Sequence, residues 1–303
     1  MSIKFNVKDI PFFSEKKILK YEILSKSFGM ICERIDTDSN YSFVIKRLIN
    51  KNNNYNALIS EGKSLIFMKN LFPKLFPKIY FKNDKLLIMD YVKHDKYKGD
   101  NFEKELATKI ASIHKIKNNK FGFDYDTPIG ALKQPSGYDD NWVNFYREKR
   151  LGMVFNHINN SNPMPKEINF KLEKILNKLE DFIPQKPKPS LIHGDLWEGN
   201  ILFDKGKLKC LIDPGIHFAH NELEIAYLTW FKYVTKDFLI HYSEIIEIDK
   251  YFNNYEPIYQ LYYCLLNVHL WSREYINNTK DLLDKIYADR ISTRSRARSP
   301  QRI

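Results

Sequence analysis

Through the first 92 positions, apolar and β-branched residues come in short runs separated by turn residues; beyond them the spacing becomes helical. YEILS, GMICERI and YSFVIKRL read as strands, and the turn residues Asp36, Thr37, Asp38, Ser39 and Asn40 mark a hairpin. Residues 55–70 place Leu58, Leu65 and Met68 at helix-compatible spacing around Glu61, and Pro73 and Pro77 stop that helix. KIYFK and KLLIMDYV then predict two strands joined at Asn83 and Asp84. The pattern predicts a small sheet-plus-helix lobe over residues 1–92, closed by the polar linker KHDKYKGDN.

In the larger part, residues 93–289, FEKELATKIASIHKI sets Phe102, Leu106, Ile110 and Ile113 on one helix face. Further helices are predicted over 139–158 and 167–183, before the Pro-rich break PQKPKP at 184–189. A short apolar strand, SLIH, follows, and NILF and LKCLID form a hairpin across Asp204, Lys205 and Gly206. Residues 221–289 read as helical and rich in aromatic side chains, and the chain shows no internal repeat.

Composition narrows the class. A chain of 303 residues, 43% hydrophobic and 15% aromatic, can bury a sizeable core. It has no apolar run of about 20 residues and no secretory leader, so a cytoplasmic protein without a membrane partner is expected. Cys32, Cys210 and Cys264 are too scattered for a disulfide framework or a CxxC metal site. The net charge of +11 invites a nucleic-acid reading, but the lysines are spread over both halves without an aromatic-laced stripe, so no nucleic-acid partner is expected. Arg290, Arg294, Arg296, Arg298 and Arg302 crowd the end, and residues 290–303 are expected to form a basic disordered tail.

The chemistry concentrates in HGDLWEGN (193–200) and LID (211–213). Phosphoryl transfer needs one carboxylate beside the attacking hydroxyl and separate oxygen ligands for magnesium. Asp195 and Asn200 have the D-x-x-x-x-N spacing of a kinase catalytic loop, and Asp213 closes the apolar run that follows. Each residue alone would pass for a turn or cap residue. Strand, HGD, Asn five residues later, hairpin and second Asp together favour catalysis.

HGDLWEGN resembles the HGDLW-x-GN signature of the fructosamine kinases, within the wider aminoglycoside and choline phosphotransferase group. FGFD (121–124), DNWVNFYREKR with Trp142, Phe145, Tyr146 and Arg150, HFAHNELEIA (217–226) and the YQLYYCLLNVHLW helix are similar to that family in the same order, so the resemblance spans about residues 15–289. It implies an α+β, two-lobed, protein-kinase-like fold with MgATP between the lobes, and transfer of phosphate to a ketosamine hydroxyl. Asp195 would orient or deprotonate that hydroxyl, and Asn200 and Asp213 would hold Mg2+. Trp197 would stack on the sugar, although its residue type fits a core position equally well. Glu198 or Glu222 would hold the amine.

In the small lobe, Lys46 lies in an apolar strand where it would reach the ATP phosphates, and Glu61 on the next helix would pair with it. The backbone near Met89, Asp90 and Tyr91 would meet adenine. LSKSFGMICE departs from the family's glycine-rich phosphate loop: it offers only Gly29, with Ser25 and Ser27 as possible hydroxyl donors. Two rival readings follow, a phosphotransferase acting on an aminoglycoside, choline or sugar, and a non-catalytic ATP-binding scaffold.

Overall fold

The structure, a computed structural model, describes residues 7–49 and 55–298. Strands β1 (Ile18–Ser27), β2 (Met30–Thr37) and β3 (Ser42–Leu48) lead to helix α1 (Leu58–Leu71), then β4 (Ile79–Lys82) and β5 (Leu86–Asp90). Helix α2 (Phe102–His114) precedes four short strands, β6 (Phe121–Phe123), β7 (Thr127–Ile129), β8 (Leu132–Gln134) and β9 (Gly137–Asp139). Next come α3 (Trp142–Tyr146), a π-helical turn (Arg147–Leu151), α4 (Gly152–Ser161) and α5 (Lys166–Asn177). After β10 (Ser190–Ile192), β11 (Ile201–Asp204), β12 (Lys207–Leu211) and β13 (His217–Ala219), the chain is helical: α6 (Glu222–Trp230), α7 (Lys236–Ser243), α8 (Phe252–Leu270) and α9 (Tyr275–Arg298).

Two compact units emerge. The first takes Met1–Asp100, Thr127–Lys133 and Gly199–Gly215, and the second takes Asn101–Asp126, Gln134–Glu198 and Ile216–Ile303. The boundary expected at residue 92 lies inside the first unit, which also gathers two later hairpin segments. Its main sheet is antiparallel, in the order β1-β2-β3-β5-β4.

Side chains alternate across a strand, and this period gives the sheet two different faces. The cross-strand neighbours Ile35 and Phe43, and Ile45 and Ile88, share one face. They pack with Val7, Ile10 and Phe13 from two 3-10 turns (Val7–Asp9 and Pro11–Phe13), a cap that no sequence pattern announced. Lys46 faces the other way, between its partners Cys32 and Leu87. Helix α1 packs on that side. A Cβ added at Gly62 would come within 3.1 Å of Leu87 Cδ1, so this glycine lets α1 sit close to β5. Leu58, Leu65 and Met68 are fully buried from α1, and Glu61 is carried on the same packed helix.

In the second unit an antiparallel sheet runs β10-β13-β6-β9. Gly122 explains the FGFD segment: its φ is +111°, and a Cβ there would fall 2.2 Å from the Gly137 carbonyl oxygen of the paired strand. Around this sheet the helices bury large aromatic rings, several of which have their polar tips bonded. Trp142 Nε1 donates to Tyr259 Oη at 2.8 Å, Tyr146 Oη to the Ile258 carbonyl at 3.0 Å, and Tyr262 Oη to Gln134 Oε1 at 3.0 Å. Among the described residues no helix is long and apolar enough to cross a membrane.

Two expectations change. The helix predicted over 139–158 starts only at Trp142, because Asn141 caps it by accepting from the Asn144 amide, and it is interrupted by the π turn. The tail expected to be disordered from 290 continues α9 as far as Arg298. Extending an existing helix avoids the cost of nucleation, and Ala and Arg favour the conformation. Residues 299–303 lie outside the described residues.

The π turn depends on Gly152, whose amide donates to the Arg147 carbonyl and whose added Cβ would lie 2.3 Å from that oxygen. Gly152→Ala must therefore displace backbone, and it should cost about 1–3 kcal/mol. Thermal unfolding by circular dichroism checks this; an unchanged melting temperature would show that the turn relaxes freely.

Candidate active site

In the first unit, strand period and helix packing bring Lys46 and Glu61 together, and Lys46 Nζ donates to Glu61 Oε1 at 2.7 Å. The same ammonium also bonds Asp213 Oδ1. Burial alone would lower the Lys46 pKa, but the Asp213 and Glu61 carboxylates outweigh it and hold the amine protonated. For Glu61, burial pushes upward and Lys46 pulls back.

The β11–β12 hairpin sets the remaining expected metal residue beside this cluster. Asn200 precedes β11 and Ile212 follows β12, and the Ile212 amide donates to the Asn200 carbonyl at 3.1 Å. Asp213 lies just past the strand instead of ending it, with φ at +57° and a proline next. A left-handed residue before proline is a costly conformation, of the kind that collects at functional sites. About a third of the Asp213 side chain stays open, whereas Asn200 is buried.

Two first-unit expectations are altered by backbone bonding. Gly29 sits with Phe28 in a two-residue turn between β1 and β2, with φ values of +72° and +50°. That is the geometry of a tight hairpin turn, not of a long phosphate-wrapping loop. Near the expected adenine contact, the Asp90 amide already donates to the Lys78 carbonyl and the Tyr91 amide to the Ser42 carbonyl, each at 3.0 Å. Asp90's carboxylate accepts from Tyr80 Oη at 2.8 Å and the Lys78 amide at 2.9 Å, and Met89 is buried.

In the second unit, β10 delivers His193, Gly194 and Asp195. Gly194 takes a left-handed φ of +87°, which glycine adopts without a Cβ clash. The turn aims two consecutive amides at one carboxylate: Glu224 accepts from His193 N at 3.1 Å and from Gly194 N at 2.6 Å. Glu224 also meets His114 Nε2 at 2.9 Å, and the other nitrogen of that ring meets Tyr242 Oη at 2.7 Å. Burial would raise the Glu224 pKa, but His114, the neighbouring His193 and the Gly194 amide hold it below the ordinary carboxylate value. Asp195 N lies 3.3 Å from His193 Nδ1, and Tyr227 Oη donates to Asp195 Oδ1 at 3.3 Å.

The expected substrate residues divide. Trp197 is 43% exposed, which removes the core reading, and Glu198 is exposed as well. Glu222 is buried: its oxygens accept from the Asp249 amide at 2.7 Å and from Tyr255 Oη. That gives Glu222 a structural job, and it is withdrawn as a holder of the substrate amine. Glu224, two residues on, was the residue that sequence reasoning missed. Its signal was a carboxylate inside the apolar helical run LEIAYL, where solvent cannot be its partner.

The first unit thus pairs a strand lysine with a helix glutamate and a post-hairpin aspartate, and the second presents an aspartate from the loop after β10; the chain is a phosphotransferase of the protein-kinase-like class. Solved structures share its fold. A structure named as a fructosamine-3-kinase from Thermobifida fusca superposes with a TM-score of 0.80 at 22% identity, covering 90% of this chain and 95% of that one. An ADP-bound aminoglycoside phosphotransferase superposes at 0.60 with 15% identity, covering 90% and 94%. The chain belongs to the fructosamine kinase family, whose model matches residues 30–289. A protein named as a ketoamine kinase in Enterococcus faecium is 30% identical over 203 residues, 65% of this chain and 70% of that protein.

Glu224 generates a pH prediction. Its folded-state pKa is depressed, so its stabilisation is complete above the unfolded value of about 4.5 and is lost as pH falls through the lower folded value. Glu224→Gln should therefore lose roughly 3 kcal/mol at pH 7, the scale of breaking a buried charge pair. Denaturant titrations at pH 7 and at about pH 3 should show the gap between variant and wild type narrowing.

Proposed function

We propose that the protein transfers the γ-phosphate of ATP to a hydroxyl of a ketosamine, a sugar carrying an amine on the carbon next to its keto group, and so helps to reverse glycation. The observation that carries this reading is Lys46, held at once by Glu61 and Asp213. A cation fixed in this way suits the α- and β-phosphates of a nucleotide, and membership of the fructosamine kinase family supports it.

The residues present fit magnesium. Asp213 and Asn200 offer the hard oxygen donors that the ion prefers, and Asp213 is partly open. No group of three or more His, Cys, Asp or Glu side chains able to hold a metal occurs among the described residues. This suits an ion that draws much of its coordination from substrate phosphates and water. Bound there, magnesium would neutralise charge on the phosphates. For adenine, the Val92 amide is the better donor: among the described residues it has no backbone acceptor, unlike those of Asp90 and Tyr91.

On the acceptor side, Asp195 accepts the proton of the attacking hydroxyl or orients it. Trp197 presents an exposed aromatic face for the C–H side of the sugar ring, and Glu198 offers a carboxylate to the amine.

An ATP-consumption screen tests the acceptor class. Fructosamines and ribulosamines should be turned over faster than aminoglycosides or choline; brisk use of the latter with no ketosamine turnover would retire the assignment. Asp213→Asn should lose about 10²-fold or more in kcat while keeping its circular dichroism spectrum. Trp197→Ala should lose about 1–3 kcal/mol in kcat/KM for the ketosamine, with KM for ATP little changed. Equal losses toward both substrates would place Trp197 outside the acceptor site.

A further inference from the structure

The polar segment KHDKYKGDN, which follows β5, is bonded to the β11–β12 hairpin of the first unit. Asp95 N donates to the Phe203 carbonyl at 2.7 Å. The Asp95 carboxylate accepts from the Lys205 amide at 3.1 Å and from the Tyr97 amide at 2.9 Å. Gly206 N returns a bond to the Tyr97 carbonyl at 3.2 Å. Two glycines let the backbones meet: a Cβ on Gly99 would lie 2.6 Å from the Gly206 carbonyl oxygen, and one on Gly206 would lie 3.2 Å from Gly99 Cα.

The hairpin needs such a strap. Strands β11 and β12 form a two-stranded sheet, which is marginal in water without outside support. Their register slips between Leu202 and Phe203, which leaves Lys209 over and breaks the ladder there. Asp95 bonds the hairpin at that break. Buried side chains from Ile201 to Leu211 hold the base, whereas Lys205 and Lys207 at the tip are exposed. The base carries the chemistry: Asn200 stands just before β11 and Asp213 just past β12, so a tilt of the hairpin moves both.

We propose that Asp95 is a positioning residue for the metal ion: by strapping the hairpin at its break and at its tip, it fixes where Asn200 and Asp213 are presented. This rests on the reading of those two as the magnesium residues. Ligands ordered beforehand need not be ordered when the ion and its nucleotide arrive, so the strap strengthens binding without touching either. Val92, whose amide is offered to adenine, stands three residues before Asp95. Adenine and metal are thus served by one continuous hydrogen-bonded piece of the first unit. The Lys205 and Tyr97 amides hold the Asp95 carboxyl below its ordinary value, so it remains an ionised acceptor at neutral pH. Asp95 is exposed, and replacing it leaves the core intact.

Calorimetric titration of the full chain with ATP, in magnesium and in EDTA, tests the strap. Magnesium should tighten ATP binding by the wild type, and Asp95→Ala should cut that gain roughly tenfold, the scale of two lost side-chain hydrogen bonds. The Kd without magnesium should stay within about twofold. Asp95→Asn keeps one acceptor oxygen and should fall between the two. Gly206→Ala strains the tip from the other side and should act like Asp95→Ala. A second readout needs no nucleotide: amide hydrogen exchange over residues 201–212 should quicken by about tenfold in Asp95→Ala. An unchanged magnesium gain in Asp95→Ala, equal losses with and without magnesium, or unchanged hairpin exchange would overturn the proposal. Quickened exchange in a protein whose ATP binding ignores both magnesium and Asp213→Asn would uphold Asp95's hold on the hairpin and retire the metal reading instead.

Discussion

Glu224 is a charge placed where water cannot reach it, and the segment from His193 to Asp195 takes its shape from that charge's need for donors. Two backbone amides and one histidine supply them. Removing a carboxylate from water costs several kcal/mol unless its oxygens are occupied, so the loop cannot relax away without leaving a buried ion unsatisfied. Much else follows from this one demand. Gly194 must adopt a left-handed turn so that its amide points inward. His114 must lie on the buried side of α2, with Tyr242 of α7 behind it. The strand β10 then ends at a fixed place, and Asp195 is presented from a rigid support.

The first unit solves a similar problem with the opposite sign. Lys46 is the buried charge there, and two carboxylates surround it. One comes from the helix on the Leu87 face of the sheet and the other from the left-handed residue after β12, so a single ammonium ties sheet, helix and hairpin together. Both arrangements put a charge in a fixed position before any substrate arrives. Preorganised charge of this kind is the main means by which proteins favour phosphoryl transfer.

These two clusters were not equally legible in the sequence. Lys46 and Glu61 could be read because a strand's two-residue period and a helix's packed face each say which way a side chain points. Asp195, Asn200 and Asp213 were legible as a joint pattern of spacing, hairpin and apolar runs. Glu222 and Glu224 show where such reading stops. They lie two residues apart on α6, on nearly opposite sides, and periodicity cannot say which of two acidic side chains meets a loop from a distant part of the chain. Tyr227 was hidden for the same reason: a tyrosine in an apolar helix announces burial, but not the partner of its hydroxyl. The tail was misread because composition reports how little it can bury, not that a preceding helix supplies a nucleus to extend.

The π turn at Arg147–Leu151 can also be viewed as a change of phase. At about 100° per residue, an unbroken α-helix through Trp142 and Tyr146 would next bring positions 149, 153 and 157 to the core. Arg150, Val154 and Ile158 are instead fully buried, with Met153 at the margin of the core, while His157 is exposed. One additional residue in the turn has rotated everything after it. Deleting one residue between 147 and 151 would leave a regular helix in which Val154 and Ile158 move up one position and still face the core, so the turn absorbs one surplus residue without disturbing α4. Making the turn regular with its length kept would instead swing α4 by about 100°, turning Ile158 outward and His157 inward. The arginine now buried against Phe145 and His217 would then lose its address, even though every side chain was still present in the chain.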